Sequence, residues 1–185
     1  MVNKRLITVG RVEGTLIGSF SGLILVFGCL ELYLRFWPLQ HNSVVEIFKF
    51  VLHAYSYKFF LAQLPLIVVH ELIHGLVWSF FSKTGWKSIK IGVFWNSMVP
   101  YCHCGEPLNC RGYILGCVAP SLFLGLLPIS YGLIYGNLFV VLTGVFGTVI
   151  SVGDWIISLK VGLFRKDGLI KDLSTAPGCE LIFGT

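Results

Sequence analysis

The segment FFLAQLPLIVVHELIHGLVWSFF, residues 59–81, decides how this chain folds. It is long and apolar enough to cross a bilayer, since a helix rises about 1.5 Å per residue and the hydrocarbon core is about 30 Å thick. Three ionisable side chains nevertheless lie inside it, at His70, Glu71 and His74. Ionisable groups are costly within a membrane, so three of them together indicate a functional site.

The composition of the whole chain agrees with a membrane location. Of its 185 residues 55% are hydrophobic and only 12% are charged, and the mean hydropathy is +0.80. Soluble domains usually carry about a quarter of charged residues, so an integral membrane protein is predicted. The length leaves room for about four spans of roughly 20 residues each. We therefore expect one membrane-embedded domain over residues 1–185, without a separate soluble domain.

Four apolar segments have the length of a span, at about residues 15–36, 59–81, 113–133 and 138–159. Four crossings place both termini on the same side. Most Lys and Arg residues lie in the N-terminus, in the connection between the second and third segments, and in the tail at 160–185. The positive-inside rule makes these regions cytoplasmic, so a multi-pass protein of the cell membrane is predicted. Because the basic residues are scattered rather than arranged in a stripe, no nucleic-acid partner is expected.

Residues 86–104 have a different pattern from the apolar segments. β-branched and aromatic residues alternate there on either side of Asn96-Ser97, which predicts a β-hairpin. Open strand edges cannot face lipid, so the hairpin must lie against protein, line a watery cavity or sit at the interface. Residues 42–57 fit either an interfacial helix or a loop. The predicted fold is an all-α membrane protein of about four transmembrane helices, with a membrane-associated β-hairpin between the second and third.

The chemistry of the site is predicted from the HExxH pattern His70-Glu71-Leu72-Ile73-His74. Spacing of four residues stacks both histidines on one helix face, where they can reach one Zn²⁺, while Glu71 is placed to polarise a water on the metal. The alternative is that these groups only hydrogen-bond to one another or to neighbouring helices as packing contacts. One or two polar groups would suffice for that purpose, so the zinc interpretation is preferred.

A catalytic zinc usually has three protein ligands, so a third must come from elsewhere. Asp154 is the acidic residue of the fourth segment, six residues before Lys160, and His74 lies seven residues before Phe81. Both segments run toward the cytoplasm in the predicted topology, which puts the two groups at a similar depth, roughly 10 Å below the cytoplasmic end. Asp154 is therefore the predicted third ligand. The alternatives are a counter-charge for a lysine or a cap for a helix break at Gly153.

A second group of candidate ligands is formed by Cys102, His103, Cys104 and Cys110. A second zinc site is one interpretation, but the spacing matches no common zinc motif. In a strand, Cys102 and Cys104 point to one face and His103 to the other, which makes joint ligation awkward. The alternative is a set of buried thiols beside a turn. His103 and Glu106 are further candidates for neighbours of the active site.

These motifs together resemble the putative zincin peptidase family of small prokaryotic membrane proteins. The resemblance rests on His70-Glu71-Leu72-Ile73-His74-Gly75, His103-Cys104-Gly105-Glu106-Pro107-Leu108, Ala119-Pro120, Ser151-Val152-Gly153-Asp154, Asp172 and Pro177-Gly178-Cys179. The arrangement is also similar to the core of site-2 proteases, in which an HExxH helix, a strand element and a later helix bearing an aspartate enclose a zinc. That resemblance implies Asp154 as the third ligand and peptide hydrolysis in or near the membrane.

The expected function is a zinc-dependent, membrane-embedded endopeptidase with Glu71 as its general base. Its expected partners are the lipid bilayer and a membrane or membrane-proximal protein, whose extended segment could add to an edge of the hairpin. One alternative is a non-catalytic zinc-binding scaffold, such as an immunity or partner-binding protein. Another is a small transporter in which His70, His74 and Asp154 form a metal pathway.

Overall fold

The computed structural model describes residues 3–38, 44–95, 99–164, 168–173 and 178–183. Most of these residues are helical, and the rest form two small antiparallel sheets. The helices are α1 (Arg11–Phe36), α2 (Val44–Phe81), α3 (Cys110–Pro120), α4 (Leu127–Tyr135), α5 (Leu138–Ile150) and α6 (Val152–Phe164). A 3₁₀ turn at Gly85–Ser88 follows α2, and a π-helical turn at Ser121–Leu126 joins α3 to α4.

Three helices in the described part of the chain are long and apolar enough to cross a membrane, and they are Val12–Phe36, Phe59–Phe81 and Cys110–Tyr135. The helix pair Leu138–Ile150 and Val152–Leu163, bent by 46°, provides a fourth if it counts as one span. The prediction of apolar helices able to span a bilayer is thus confirmed. The connection at 42–57 belongs to α2 from Val44 onward, so the helical alternative holds for its described residues.

The fourth apolar segment is bent, and a helix break, at Gly153, was considered there only as an alternative explanation of Asp154. Residues 138–159 were expected to form one span, but α5 ends at Ile150 and α6 begins at Val152. The Ser151 hydroxyl donates to the Gly147 carbonyl at 2.8 Å, which replaces part of the helix's own hydrogen bonding. Serine hydroxyls bonded back in this way commonly bend helices. Asp154 consequently lies in the first turn of a new helix.

The smaller sheet contains the predicted pair of strands. Strand β2 (Ile89–Phe94) pairs antiparallel with β3 (Val99–Cys104), with Ile89 opposite Cys104. The first strand begins three residues later than predicted, because Trp86–Ser88 belong to the 3₁₀ turn. The expected turn at Asn96-Ser97 lies outside the described residues.

The larger sheet was missed by sequence reasoning. Its strands are β1 (Asn3–Thr8), β4 (Leu108–Asn109), β5 (Leu169–Asp172) and β6 (Gly178–Phe183), in the order β1-β6-β5-β4. The described residues of the predicted tail, 160–185, therefore belong mainly to the end of α6 and to two strands. Strand β1 pairs antiparallel with β6, so the two ends of the described chain lie side by side.

A buried cluster where the sheet meets the helices positions the candidate site. It contains Tyr113 of α3, Val161 of α6, and Ile170 and Leu181 of the sheet, all 0–1% exposed. A second cluster packs α1 against α5 and lies apart from the first. Helix α3 packs so closely on α2 that a side chain at Gly112 would collide with Phe81, and one at Gly116 with Trp78. Small residues spaced four apart allow such close helix contact.

Candidate metal centre

The HExxH motif lies on α2, and it turns both histidines toward the protein interior. His70 and His74 are 5% and 4% exposed, and their Nε2 atoms are 3.0 Å apart. Residues four apart face the same side of a helix, which explains the contact between the two rings. The side chain of Glu71 is half-buried beside them. The local spacing alone therefore brings two imidazole nitrogens to one point.

Asp154 reaches the same point from α6. Its Oδ2 atom lies 3.3 Å from His70 Nε2 and 3.4 Å from His74 Nε2. The three ligand atoms all lie within 4.8 Å of one another, and they form the group in the described residues that could hold a metal ion. The residues predicted as ligands thus converge, and the bend before α6 places Asp154 in the first turn of that helix.

These distances fit a metal ion. Two ligand atoms at about 2.05 Å from a tetrahedral zinc are about 3.3 Å apart, which agrees with the separations found here. His74 Nδ1 donates to the Gly116 carbonyl at 2.8 Å, so in the neutral ring Nε2 carries a lone pair directed at Asp154. A carboxylate facing a lone pair needs a positive charge between them, supplied by a metal cation or by a proton.

The second nitrogen of His70 differs from that of His74. His70 Nδ1 is buried and has no hydrogen-bond partner within the described parts of the chain. Buried ring nitrogens normally have a partner, and the outer nitrogen of a metal-binding histidine usually donates to an oxygen. The donor set is therefore suitable for a metal, and one outer contact is left for a water or another group.

The contact that holds His74 depends on the absence of a side chain at Gly116. A Cβ there would meet the indole of Trp78, which stacks on the His74 ring with centroids 5.2 Å apart and an interplanar angle of 20°. The indole Nε1 donates to the Tyr113 carbonyl at 3.1 Å, which fixes the ring in place. His74 is thus held by both a hydrogen bond and a stacked ring.

Strand β3 passes beside the remaining residue of the motif. Cys102 lies beside the carboxylate of Glu71. The same strand packs on α2 at Gly75, where a Cβ atom would lie 3.1 Å from Cys102 Sγ. The strand pair is therefore in contact with the carboxylate that was predicted to act as the base.

The cysteine-rich segment does not form a second ligand group among the described residues. All six cysteines are free thiols, and Cys102, His103, Cys104 and Cys110 are absent from the group of converging ligands. Cys102 points at α2, Cys104 is fully buried near Ser88, and His103 points the other way. Burial raises the pKa of the Cys102 and Cys104 thiols, which keeps them neutral. The alternative of buried thiols beside a turn describes this segment.

Glu106, considered as a neighbour of the active site, fastens a turn instead. Its carboxylate accepts hydrogen bonds from the Lys83 N–H at 2.7 Å, the Thr84 N–H at 3.3 Å and the Thr84 hydroxyl at 2.7 Å. The Thr84 hydroxyl is the main reason that the pKa of Glu106 is lowered. Glu106 thus ties the segment after α2 to the segment after β3.

Sequence reasoning gave no role to Asp172, which lies at the end of β5 and is 9% exposed. Its Oδ2 accepts from His103 Nδ1 at 3.0 Å and from the Cys104 N–H at 3.3 Å, and its Oδ1 accepts from the Tyr113 hydroxyl at 3.3 Å. Burial raises the pKa of Asp172, and the hydrogen bond from His103 opposes that effect. The only signal in the sequence was its place among the motifs of the resemblance.

Comparison with known proteins gives one match. A model of the family described as putative zincin peptidase matches residues 63–168, which is more than half of the chain. No curated protein and no solved structure matches the chain. The matched region contains the HExxH motif, strand β3 and Asp154, but it ends before β5.

Proposed function

The chain belongs to the putative zincin peptidase family, and on that premise we propose that it is a zinc-dependent, membrane-embedded endopeptidase. The observation that carries the proposal is the convergence of His70 Nε2, His74 Nε2 and Asp154 Oδ2. The Glu71 carboxylate lies near this group. An HExxH helix completed by an aspartate from a later helix is also the arrangement of the site-2 protease core. The proposed ligands are His70, His74 and Asp154.

The proposed roles follow from the contacts of each residue. A bound zinc would polarise the peptide carbonyl and make water acidic enough to react near neutral pH. Glu71 takes the proton of the attacking water at its carboxylate and passes it to the nitrogen of the leaving amine. Strand β3 lies beside the Glu71 carboxylate through Cys102 and borders the site on that side. The Gly116 carbonyl keeps the His74 ring in the orientation needed for binding.

The proposed setting is a multi-pass protein of the cell membrane, with both termini and the larger sheet in the cytoplasm. The pairing of β1 with β6 supports the shared side of the termini, because two strands of one sheet cannot lie on opposite sides of a bilayer. The excess of Lys and Arg in these regions supports the cytoplasmic side. The substrate is an extended segment of a membrane or membrane-proximal protein, presented beside β2 and β3.

The test compares Glu71→Gln with the intact protein and with Glu31→Gln. Glu31 is a matched control because it lies in an apolar helix, is exposed, and pairs with Arg35 one turn later. Zinc in the purified proteins is measured by mass spectrometry, and uncut membrane proteins are identified by proteomics of cells that carry each form. We expect all three to hold zinc and only Glu71→Gln to accumulate uncut substrates, since loss of a general base costs about 10²–10⁴-fold in rate.

Two results would contradict the proposal. Cleavage by Glu71→Gln at the rate of the intact protein would remove Glu71 as the base. Zinc bound at the proposed ligands with no cleavage by the intact protein would favour the zinc-binding scaffold.

A further inference from the structure

We propose that Asp172 is a positioning residue of the active site, which holds strand β3 in place behind Glu71. The inference rests on the proposed function and extends the site to β5, a strand beyond the region that the family match covers. It concerns no residue among the proposed ligands. Asp172 would act through β3 and would touch neither the metal nor the substrate.

The Asp172 carboxylate is surrounded by three hydrogen-bond donors. Both oxygens of Asp172 are used, one by His103 and the Cys104 N–H of β3 and the other by the Tyr113 hydroxyl of α3. The group is 9% exposed, so water competes little with these three donors. A buried carboxylate without hydrogen-bond donors would destabilise the folded state, so the three donors must stay in place around it. Asp172 thus joins the end of β3 to the sheet and to α3.

The two faces of β3 contact different parts of the protein. Successive side chains of a strand point to opposite faces. Cys102 lies on the front, against Gly75 of α2, and His103 is directed back toward Asp172. Cys102, the residue next to His103, is the residue of β3 that lies beside the Glu71 carboxylate. The strand is therefore held between α2 in front and Asp172 behind, and a shift at His103 moves the neighbour of Glu71.

A second connection reaches the metal centre itself. The Tyr113 ring, whose hydroxyl contacts Asp172, stacks on Trp78 with centroids 5.5 Å apart and an interplanar angle of 12°. Trp78 in turn stacks on His74. One carboxylate on β5 therefore lies behind both the proposed base and one proposed ligand. Through these contacts, β5 supports the site although it lies outside the matched region.

The test measures whether β3 is released when the carboxylate is changed. In Asp172→Asn one acceptor oxygen is replaced by an amide that faces donors. The purified full-length protein is treated with N-ethylmaleimide, and the alkylation rate of each cysteine is followed by peptide mass spectrometry. We expect Cys102 and Cys104 to react at least about tenfold faster than in the intact protein, while Cys117, buried in α3, stays protected. Unchanged rates at Cys102 and Cys104 would overturn the proposal.

The control is Glu180→Gln on the neighbouring strand β6. The Glu180 side chain pairs with Lys4 at 3.2 Å. Glu180 follows Cys179, the residue paired with Asp172, so its side chain points to the opposite face of the sheet and alkylation rates should stay at those of the intact protein. If Cys117 also reacted faster in Asp172→Asn, the variant would be generally unfolded. Two substitutions of His103 then test whether loss of its contact with Asp172 releases β3. Asparagine keeps a donor near the position of Nδ1, whereas leucine does not. Cys102 should be protected in His103→Asn only, and equal rates in the two variants would overturn the proposal.

A readout on catalysis separates positioning from folding. With fluorescein-labelled casein as the probe, Asp172→Asn should lower kcat by at least about tenfold, change KM less than about twofold, and keep the zinc content. His103→Asn should keep most of the kcat of the intact protein, whereas His103→Leu should not. If the intact protein neither holds zinc nor cleaves, the proposed function fails. The alkylation rates still decide whether Asp172 holds β3.

Discussion

In the described part of the chain two aspartates contact histidine, Asp172 and Asp154, and the two carboxylates differ in the groups that surround them. Asp172 has three hydrogen-bond donors, from His103, Cys104 and Tyr113. Asp154 instead faces two Nε2 atoms, of which one is without a proton in the neutral ring because His74 donates through Nδ1. The first carboxylate is satisfied by the protein alone. The second requires an added positive charge, and this difference separates a structural contact from a ligand site.

The strongest test of the comparison removes one imidazole from each contact. His74→Ala should hold less than about a tenth of the zinc of the intact protein after dialysis against a chelator, because two remaining ligands bind zinc weakly. His103→Asn is the matched control and should keep its zinc. Metal content by mass spectrometry gives the result. Equal loss in both variants would mean that the two contacts do not differ in kind.

A smaller effect is expected from the residue that supports His74 from behind. In Gly116→Ala the added methyl group collides with Trp78 and displaces the carbonyl that accepts from His74. Loss of such an outer contact typically weakens metal binding about 10–100-fold, which competition with a chelator measures. Gly162→Ala is the control, since nothing lies within 4 Å of a Cβ at that position. Unchanged affinity in Gly116→Ala would show that this contact does not orient the ligand.

Removing one hydrogen-bond donor from Asp172 should lower the free energy of unfolding without lowering the zinc content. Tyr113→Phe keeps the ring stacked on Trp78 and deletes the hydroxyl that reaches Asp172. The expected loss is about 1–2 kcal/mol in the free energy of unfolding, measured in detergent by denaturant titration. Zinc content should equal that of the intact protein. A loss of zinc in this variant would mean that the two contacts are not separable.

The smallest effect concerns Glu106, a carboxylate whose donors are exposed. Its pKa lies below the ordinary value of 4.5, chiefly because of the Thr84 hydroxyl, so its contribution to stability is present above that value. The contribution is lost as the pH falls through the lowered pKa, because the unfolded chain then binds the proton first. The stability difference between the intact protein and Glu106→Gln should therefore shrink in acid. A difference that grows at low pH would contradict this assignment.

The parts of the site that were predicted are those encoded by local spacing or by depth in the membrane. His70, Glu71 and His74 lie within one and a half turns of a helix, so their shared position follows from helix geometry alone. Asp154 was predicted from its distance to the end of the segment, and it lies beside His70 and His74 although the segment is bent at Ser151. The place of the bend was hidden, because a single serine within an apolar run carries little signal.

The larger sheet could not be predicted from local pattern. Strand β1 has six residues and pairs with β6, whose register joins Asn3 to Phe183. Short strands of mixed polarity resemble termini and loops when their partner lies at the far end of the sequence. For the same reason Asp172 was seen as part of a motif without a contact to explain it. The three-dimensional pairing supplies that contact.

The pairing of β1 with β6 also has a consequence for biosynthesis. Strands β5 and β6 follow every apolar helix in the sequence, so they leave the ribosome after the last of those helices. Strand β1 must wait unpaired during that time, and Asp172 can meet His103 only at the end. In the proposed membrane setting, insertion of the helices and completion of the site are therefore separate events, because the proposed ligands are synthesised before the strand that fastens β3 behind Glu71.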